Sequence, residues 1–498
     1  MYTLGYDIGS SSVKAVLLNG ETGKVVASAY SPKNEMPMSA KRIGWAEQEP
    51  SMWWDHLKLA TAQVLSEARI QKDQIIAIGI SYQMHGLVII DKNQNVLRPS
   101  IIWCDSRAVE IGNKAFKKIG AKKCLGSLMN SPGNFTASKL RWVKEHEPVI
   151  FRKIDKFMLP GDYIAMKLTG EVVTTRSGLS EGILWDFKLN APASFLLKEY
   201  GIPSDLIPPL TPTFGEQGRL HRAASQELGL PAGIPVTYRA GDQPNNALSL
   251  NVMEPGEIAA TAGTSGVVYG VSGTRKYDPA SRVNSFAHVN HSPDSPRIGV
   301  LLCINGTGIA NSWIRRMTGQ QSVDYARLNE IASAAPVGSD GVVVLPFGNG
   351  AERMLENRDI GAQILNLHFN IHTQAHLARA VQEGIAFAFN YGIDIMHGMN
   401  IKPKVIRAGF ANLFLSPIFA DTLAQTAGVS IELYSTDGAQ GAARGAALGI
   451  NYFKSRQEAF KGLKRLKTIE PHKSRSAQYQ EFYHRWSSAL ERTLQSKG

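Results

Sequence analysis

The amino-acid sequence predicts an α/β protein whose second half repeats the design of the first. Three observations predict it. Each half opens on strand, glycine–hydroxyl turn, strand; each continues with short apolar runs alternating with longer helical stretches; and Glu254-Pro255-Gly256 breaks the chain between them. A chain of 498 residues exceeds the roughly 250–300 that one hydrophobic core organises, so several domains are expected. The division falls near Leu250, giving units 1–250 and 251–498.

The first half begins as a β-meander. Tyr2, Leu4, Tyr6 and Ile8 alternate with other residues, Gly9-Ser10-Ser11 makes a turn, and 13–18 returns as a second strand. Asn19-Gly20-Glu21-Thr22-Gly23 is turn chemistry before a third strand at 25–30. A helix over 51–70 places Trp53, Trp54, Leu57, Val64, Leu65 and Ala68 on one face. Short apolar strands follow at 75–80, 87–90 and 101–104. In the second half, strand 258–262, the turn Gly263-Thr264-Ser265-Gly266 and strand 267–271 restate the opening. Strand 342–345, a long helix over 373–396, strand 405–408, a helix over 416–426, strand 431–434 and a glycine- and alanine-rich helix from Gly438 complete it.

Composition narrows the class. A hydrophobic share of 43% and a charged share of 19% are those of a soluble globular enzyme. Cys104, Cys124 and Cys303 lie far apart with no C-x-x-C pair, which excludes a disulfide framework or a cysteine zinc site and suits a reducing compartment. No run approaches the roughly 18 apolar residues of a membrane span. The start, with Asp7 inside its apolar run and no basic leader, is not a signal peptide, so a cytoplasmic location is expected. The net charge of +12 raises nucleic acid as a partner, but from Lys454 onward 11 Lys or Arg face 4 Glu. They alternate with Phe460, Leu463, Leu466, Tyr479, Phe482, Trp486 and Leu490, as on amphipathic helices with a solvated basic face. Neither a nucleic-acid nor a membrane partner is needed to explain that charge.

Four constellations can carry chemistry. In Asp7-Ile8-Gly9-Ser10-Ser11-Ser12-Val13-Lys14, a carboxylate ends a buried strand and is followed by glycine and three hydroxyls. Such a turn presents N–H and O–H groups to phosphate oxygens while the carboxylate organises a hydrated Mg²⁺; an ordinary hairpin uses the same small residues. Thr261-Ala262-Gly263-Thr264-Ser265-Gly266 is its counterpart, and two such turns can clamp a triphosphate between them. No G-x-x-x-x-G-K-[ST] and no G-x-G-x-x-G after a first strand is present, which excludes the Walker A and Rossmann modes. In Gly241-Asp242-Gln243-Pro244, a strand delivers Asp242 to a helix start, where it serves as a general base or as a capping residue. Gln83-Met84-His85-Gly86 and Trp103-Cys104-Asp105 bring polar groups to what reads as neighbouring strand ends of one sheet, where α/β folds bind ligands.

Taken in order, these segments resemble the FGGY carbohydrate kinases, and within them the xylulokinases. The resemblance runs through Asp7-Ile8-Gly9-Ser10, Gly44-Trp45-Ala46-Glu47-Gln48, Gln83-Met84-His85-Gly86, Trp103-Cys104-Asp105, Phe135-Thr136 with Lys139, Gly241-Asp242, Gly263-Thr264-Ser265 and Gly441-Ala442-Ala443, nearly the whole chain. It implies two ribonuclease H-like domains of the actin/hexokinase superfamily, with ATP and a sugar in the cleft between them and Mg²⁺ as the accompanying ion. It further implies Asp242 as proton acceptor, and Met84 and His85, with Gln83, Gln243, Trp103 and Asp105, on the sugar. Gly9, Ser10, Ser11, Lys14, Gly263, Thr264 and Ser265 would lie on the phosphates, and Gly409 and Asn412 on the nucleotide. Asp7 would hold the metal through water, with Asp242 a second candidate. D-Xylulose is the first substrate expected and a homodimer the assembly considered. Gln243 stands where xylulokinases often carry Asn, as in glycerol kinases, whereas Met84-His85 replaces the Arg-Glu expected for glycerol. The adenine loop, Ala408-Gly409-Phe410-Ala411-Asn412-Leu413-Phe414, is bulkier than the usual small-residue run. Glycerol or another ketose such as ribulose is the near alternative, and a non-catalytic sugar-binding regulator the distant one.

Overall fold

A computed structural model describes residues 1–318 and 323–496. The first half is organised by a five-stranded sheet in the order Val236–Gly241, Ile75–Tyr82, Tyr2–Ile8, Val13–Asn19, Val25–Ser31. The last three are the antiparallel meander; Ile75–Tyr82 and Val236–Gly241 add parallel to its inner edge. The second half carries a seven-stranded sheet. Its middle five strands, Ile298–Ile304, Gly266–Ser272, Glu257–Ala262, Val405–Gly409 and Ile431–Tyr434, repeat that pattern of directions. Asn284–Ala287 and Arg465–Ile469 extend it at the two edges. The duplication expected from the sequence is thus a duplication of topology.

Alternation along Tyr2–Ile8 sends Leu4, Tyr6 and Ile8 to one face, where helix Pro50–Ala68 covers them with Trp53, Trp54 and Leu57. Tyr6 Oη and Thr61 Oγ1 join the two at 2.8 Å. The opposite face is covered by helix Gly438–Gly449, which comes from the second half. It lies on the strands with no side-chain layer between: a Cβ on Gly79 would stand 2.0 Å from Ala442 O, and one on Gly5 2.1 Å from Ala439 O. Only glycine in the strand, facing a helix of Gly and Ala, permits that approach. Helix Asp242–Ser249 in turn packs on Gly438–Gly449, where a Cβ on Gly441 would meet Ser249 Cβ at 2.8 Å. These two helices cross where the halves meet.

Two expected strands lie outside the main sheet. Val88–Ile90 pairs with Lys156–Met158, and Ser100–Ile101 pairs with Glu47–Gln48. The segments at Gln83 and Trp103 therefore do not end neighbouring strands of one sheet. His85, at φ 63, belongs to the loop that leads the chain out of it. Likewise Val343–Leu345 pairs with Gln363–Leu365 in a separate ribbon. The basic carboxy-terminal region is helical only in part: Arg465–Ile469 is an edge strand with Leu466 exposed, against the helix expected there, whereas helix Lys473–Ser496 buries Tyr479, Trp486 and Leu490 and leaves Arg485 and Arg492 exposed. Trp486 Nε1 donates to Val344 O at 2.8 Å. In that helix Arg485 and Arg492 occupy the solvated face, as the pattern indicates, while Arg456 and Arg475 are paired with Glu257 and Asp421. Among the described residues, no helix is long and apolar enough to cross a membrane.

Candidate active site

Three adjacent strands of the first sheet, Tyr2–Ile8, Ile75–Tyr82 and Val236–Gly241, run parallel and end together, so their carboxyl ends deliver Asp7, Gln83 and Asp242 to one edge. Asp7 Oδ1 accepts from Ser81 Oγ at 2.8 Å. Its carboxylate lies against Gly438, at the amino end of a helix capped by Asp437, whose Oδ1 accepts from Gln440 N at 2.9 Å. Burial pushes the Asp7 carboxyl above its ordinary range; Lys14, its antiparallel register partner, and Ser81 pull the other way.

Asp242 is the first residue of its helix, after Gly241 at the N-cap, and is partly exposed to the cleft. Burial raises its pKa to about 7, and the charge of Asp7 adds to the rise, while hydrogen bonds from Gln243 oppose it. A carboxyl so placed is neutral below that value and a base above it. In the free enzyme, kcat/KM for the sugar should therefore climb as pH rises through about 7 and level off beyond. A pH–rate profile already flat from pH 5 upward would remove this titration from catalysis.

A second cluster forms around His85. Its ring packs against Phe135 at 4.7 Å and Phe286 at 5.3 Å between centroids. Nδ1 lies 3.0 Å from Glu181 O, and a carbonyl only accepts, so Nδ1 carries the proton and Nε2 is left as an acceptor. Burial, with help from the Lys139 charge, lowers the imidazole pKa to about 3 and keeps it neutral. Met84 and Glu181 lie beneath Gly241, where a Cβ would meet Met84 Cγ at 2.6 Å and Glu181 Oε2 at 2.3 Å. Burial, then the Asp242 charge, holds the Glu181 carboxyl well above its usual range. Lys139 is fully buried and donates to His85 O and Ile102 O, each at 2.9 Å, tying the His85 loop to the Trp103 turn. Trp103, 54% exposed, donates from Nε1 to Ser10 Oγ at 3.3 Å and so joins that turn to the phosphate turn.

Two residues expected on the sugar sit differently. Asp105 is fully buried; its carboxylate accepts from Ala46 N at 2.6 Å and pairs with Arg107 at 2.6 Å. Both of its oxygens are engaged by Arg107, and one also by Ala46 N of the Gly44–Gln48 segment. Gln83 is 2% exposed and lies under the Ser10 turn, its N donating to Ile8 O at 2.8 Å, near Gln48, whose Nε2 donates to Ser10 O at 2.7 Å.

In the two glycine–hydroxyl turns, Gly9 N donates to Ser12 O at 3.0 Å and closes the first. The second turn is braced by the start of helix Gly308–Thr318: Gly308 N donates to Gly263 O at 3.0 Å and Ile309 N to Thr264 O at 3.1 Å. Beside it opens a cavity of about 440 Å³, lined by Gly263, Thr264, Asn311, Tyr325, Asn412 and Leu415 among others. Thr264 and Ser265 are exposed there. A Cβ on Gly263 would have nothing nearer than 3.8 Å, and one on Gly409 nothing within 4 Å, so both glycines face open space of the kind a bound phosphate or base would fill. Among the described residues no group of three or more His, Cys, Asp and Glu could hold a metal ion. Asp7 and Asp242 alone are not a cage, which suits an ion that arrives with the phosphates. Asn311, Tyr325 and Glu181 were not singled out from the sequence. They sit in helices with no motif around them, and only the fold brings Asn311 and Tyr325 to the cavity and Glu181 under Gly241.

Comparison with known proteins agrees with this geometry. The model for the N-terminal domain of the FGGY family of carbohydrate kinases matches residues 2–249, and that for its C-terminal domain matches 258–452. The xylulose kinase of Klebsiella pneumoniae is 32% identical over 448 residues, covering 89% of this chain and 88% of the relative. That of Escherichia coli K12 is 31% identical over 484 residues, covering 96% of each. The crystal structure of xylulose kinase from Rhodospirillum rubrum superposes with a TM-score of 0.88 at 27% identity, over 100% of this chain and 99% of the other. With two actin/hexokinase-like units around a cleft and both family domains matched along the chain, this protein belongs to the FGGY carbohydrate kinases and is an ATP-dependent sugar phosphotransferase.

Proposed function

We propose that the enzyme transfers the γ-phosphoryl group of MgATP to the 5-hydroxyl of D-xylulose, giving D-xylulose 5-phosphate and ADP, with Asp242 as general base. The observation that supports this most is the position of Asp242, at the strand edge it shares with Asp7 and next to Gly241, which lies over Met84 and Glu181, with a pKa near neutrality. Asp242 takes the proton of the attacking hydroxyl as the new P–O bond forms and the bond to ADP breaks. His85 Nε2 accepts from a sugar hydroxyl and Met84 packs on its carbon skeleton. Gln243 and Trp103 border the same pocket.

Gly9, Ser10, Ser11 and Lys14 from one half, and Gly263, Thr264 and Ser265 from the other, neutralise the phosphate oxygens. Gly409 and Asn412 flank the base. Asp7, through water, and Asp242 would hold the Mg²⁺ that accompanies ATP, and its charge would offset that of the phosphates. Positioning and charge neutralisation supply most of the rate, and closure of the halves limits hydrolysis of ATP by water. The units of this reading are 1–250 and 251–498, with Gly438–Gly449 the element of the second that reaches onto the first; the setting is cytoplasmic.

Coupled ADP release over a panel of ketoses, aldoses and polyols tests the substrate. D-Xylulose should exceed glycerol by at least about 10³-fold in kcat/KM, because a pocket built to pair several hydroxyls keeps unpaired polar groups when they are absent. Equal efficiency with glycerol, or a preference for ribulose, would reassign the acceptor.

A further inference from the structure

Strand Asn284–Ala287 belongs to the second sheet by its pairing with Ile298–Ile304, yet it is bonded to the first half along its length. Ser285 N donates to Asn130 Oδ1 at 2.9 Å, Asn130 Nδ2 donates back to Ser285 O at 2.5 Å, and Ala287 N donates to Ser180 Oγ at 2.9 Å. Between these bonds Phe286, 1% exposed, sets its ring 5.3 Å from His85 and 6.0 Å from Phe135. Arg353, also from the second half, donates from Nε to Ser281 O at 3.0 Å. Its Nη2 bonds Ser281 Oγ at 3.0 Å and crosses to Ser131 Oγ of the first half at 3.3 Å. Its Nη1 makes no bond to another described residue, and its charge is felt at both His85, of the first half, and Cys303, of the second. Burial lowers the guanidinium pKa to about 10, so it stays cationic at neutral pH.

We infer that the acceptor pocket is composite: Phe286 forms its apolar wall beside His85, and Arg353 donates from Nη1 to an oxygen of the bound polyol. A sugar offers C–H faces that pack on an aromatic ring and oxygen edges that take hydrogen bonds. The first half supplies a neutral acceptor in His85 and a base in Asp242; Arg353 supplies a fixed donor. This deepens the function proposed above and rests on it.

Steady-state kinetics and apo-enzyme calorimetry with D-xylulose, on full-length Arg353→Gln, Arg353→Lys, Phe286→Leu and Ser131→Ala, test the inference. Arg353→Gln should raise the acceptor KM and Kd about 10–100-fold, the loss of one charge-assisted hydrogen bond, with KM for ATP within about twofold. Arg353→Lys should recover part of the affinity. Phe286→Leu should weaken acceptor binding about tenfold and leave ATP alone. Ser131→Ala removes the crossing bond and should change acceptor KM by no more than about twofold. If Ser131→Ala reproduces the Arg353→Gln loss, Arg353 only fastens the halves and the inference falls. It falls equally if Arg353→Gln raises both KM values together, or if Arg353→Gln and Phe286→Leu leave acceptor KM unchanged. Should the substrate panel rank another sugar first, the same measurements are made with that sugar. A failure of D-xylulose then strikes the proposed function, and the variants still decide this inference.

Discussion

Asp242→Asn should lower kcat by at least about 10²-fold, the contribution of a lost general base, while the protein stays folded and binds ATP. The alternative role for this residue is to support the start of helix Asp242–Ser249, and the two roles move different observables. Gly241 holds the N-cap position and Asp242 follows it as the first helical residue, so Asn, nearly as good as Asp at a helix start, loses little there. Electrostatics add a sign. Burial, and then the field of Asp7, raise the pKa of Asp242, so a neutral amide removes the cost of a desolvated charge as well as its repulsion with Asp7. The melting temperature should then hold or rise slightly at pH 8, where Asp242 is charged, and change less at pH 5, where Asp242 is already protonated. Measuring kcat, thermal melting at both pH values and nucleotide affinity separates the roles. A folded variant with near-normal turnover would end the assignment of Asp242 as base.

Gly263→Val should raise KM for ATP about 10–100-fold, the equivalent of one or two charge-assisted hydrogen bonds, with little change in KM for the sugar. The substitution has room in the ligand-free protein. A Cβ at this position meets nothing closer than Asn412 Nδ2 and Ser265 O, both at 3.8 Å. The fold should therefore tolerate valine, and the methyl groups would occupy the space in which a phosphate approaches the backbone N–H groups of Gly263, Thr264 and Ser265. Gly9 is a different case, since a Cβ there would stand 3.0 Å from Ser12 O inside the turn itself. Gly9→Val should lower stability as well as ATP affinity, which makes Gly263 the cleaner probe. Unchanged KM for ATP in a folded Gly263→Val enzyme would remove this turn from the phosphate site.

Much of the architecture is legible in local sequence. The period-2 pattern at the start, the glycine turns and the strand before Asp242 predicted the meander and the placing of Asp7 and Asp242, because a strand's alternation states which face is buried and a turn's residues state where it ends. The helices expected over 51–70, 373–396 and 416–426 are observed as Pro50–Ala68, Gln374–Gly398 and Pro417–Ala427. The likeness of the halves also shows in sequence, as two glycine–hydroxyl turns. Other features depend on which surfaces meet, and a pattern that says a face is buried does not say against what. The glycine- and alanine-rich helix from Gly438 reads as part of the second half; only the fold lays it on Gly5 and Gly79 of the first sheet. Asp105 is a carboxylate in a motif, as Asp7 is. The tertiary structure gives Asp105 an Arg107 partner and full burial, and leaves Asp7 beside the cleft. Glu181, Phe286 and Arg353 carry no local signal, because their neighbours, Gly241, His85 and Ser131, are distant in the chain. The sequence by itself determined the main strands and helices, the two turns and the place of Asp242 at a strand end. Only the tertiary structure decided which polar groups are paired and buried and which face the cleft, because burial and charge pairing are properties of contacts between segments far apart in sequence.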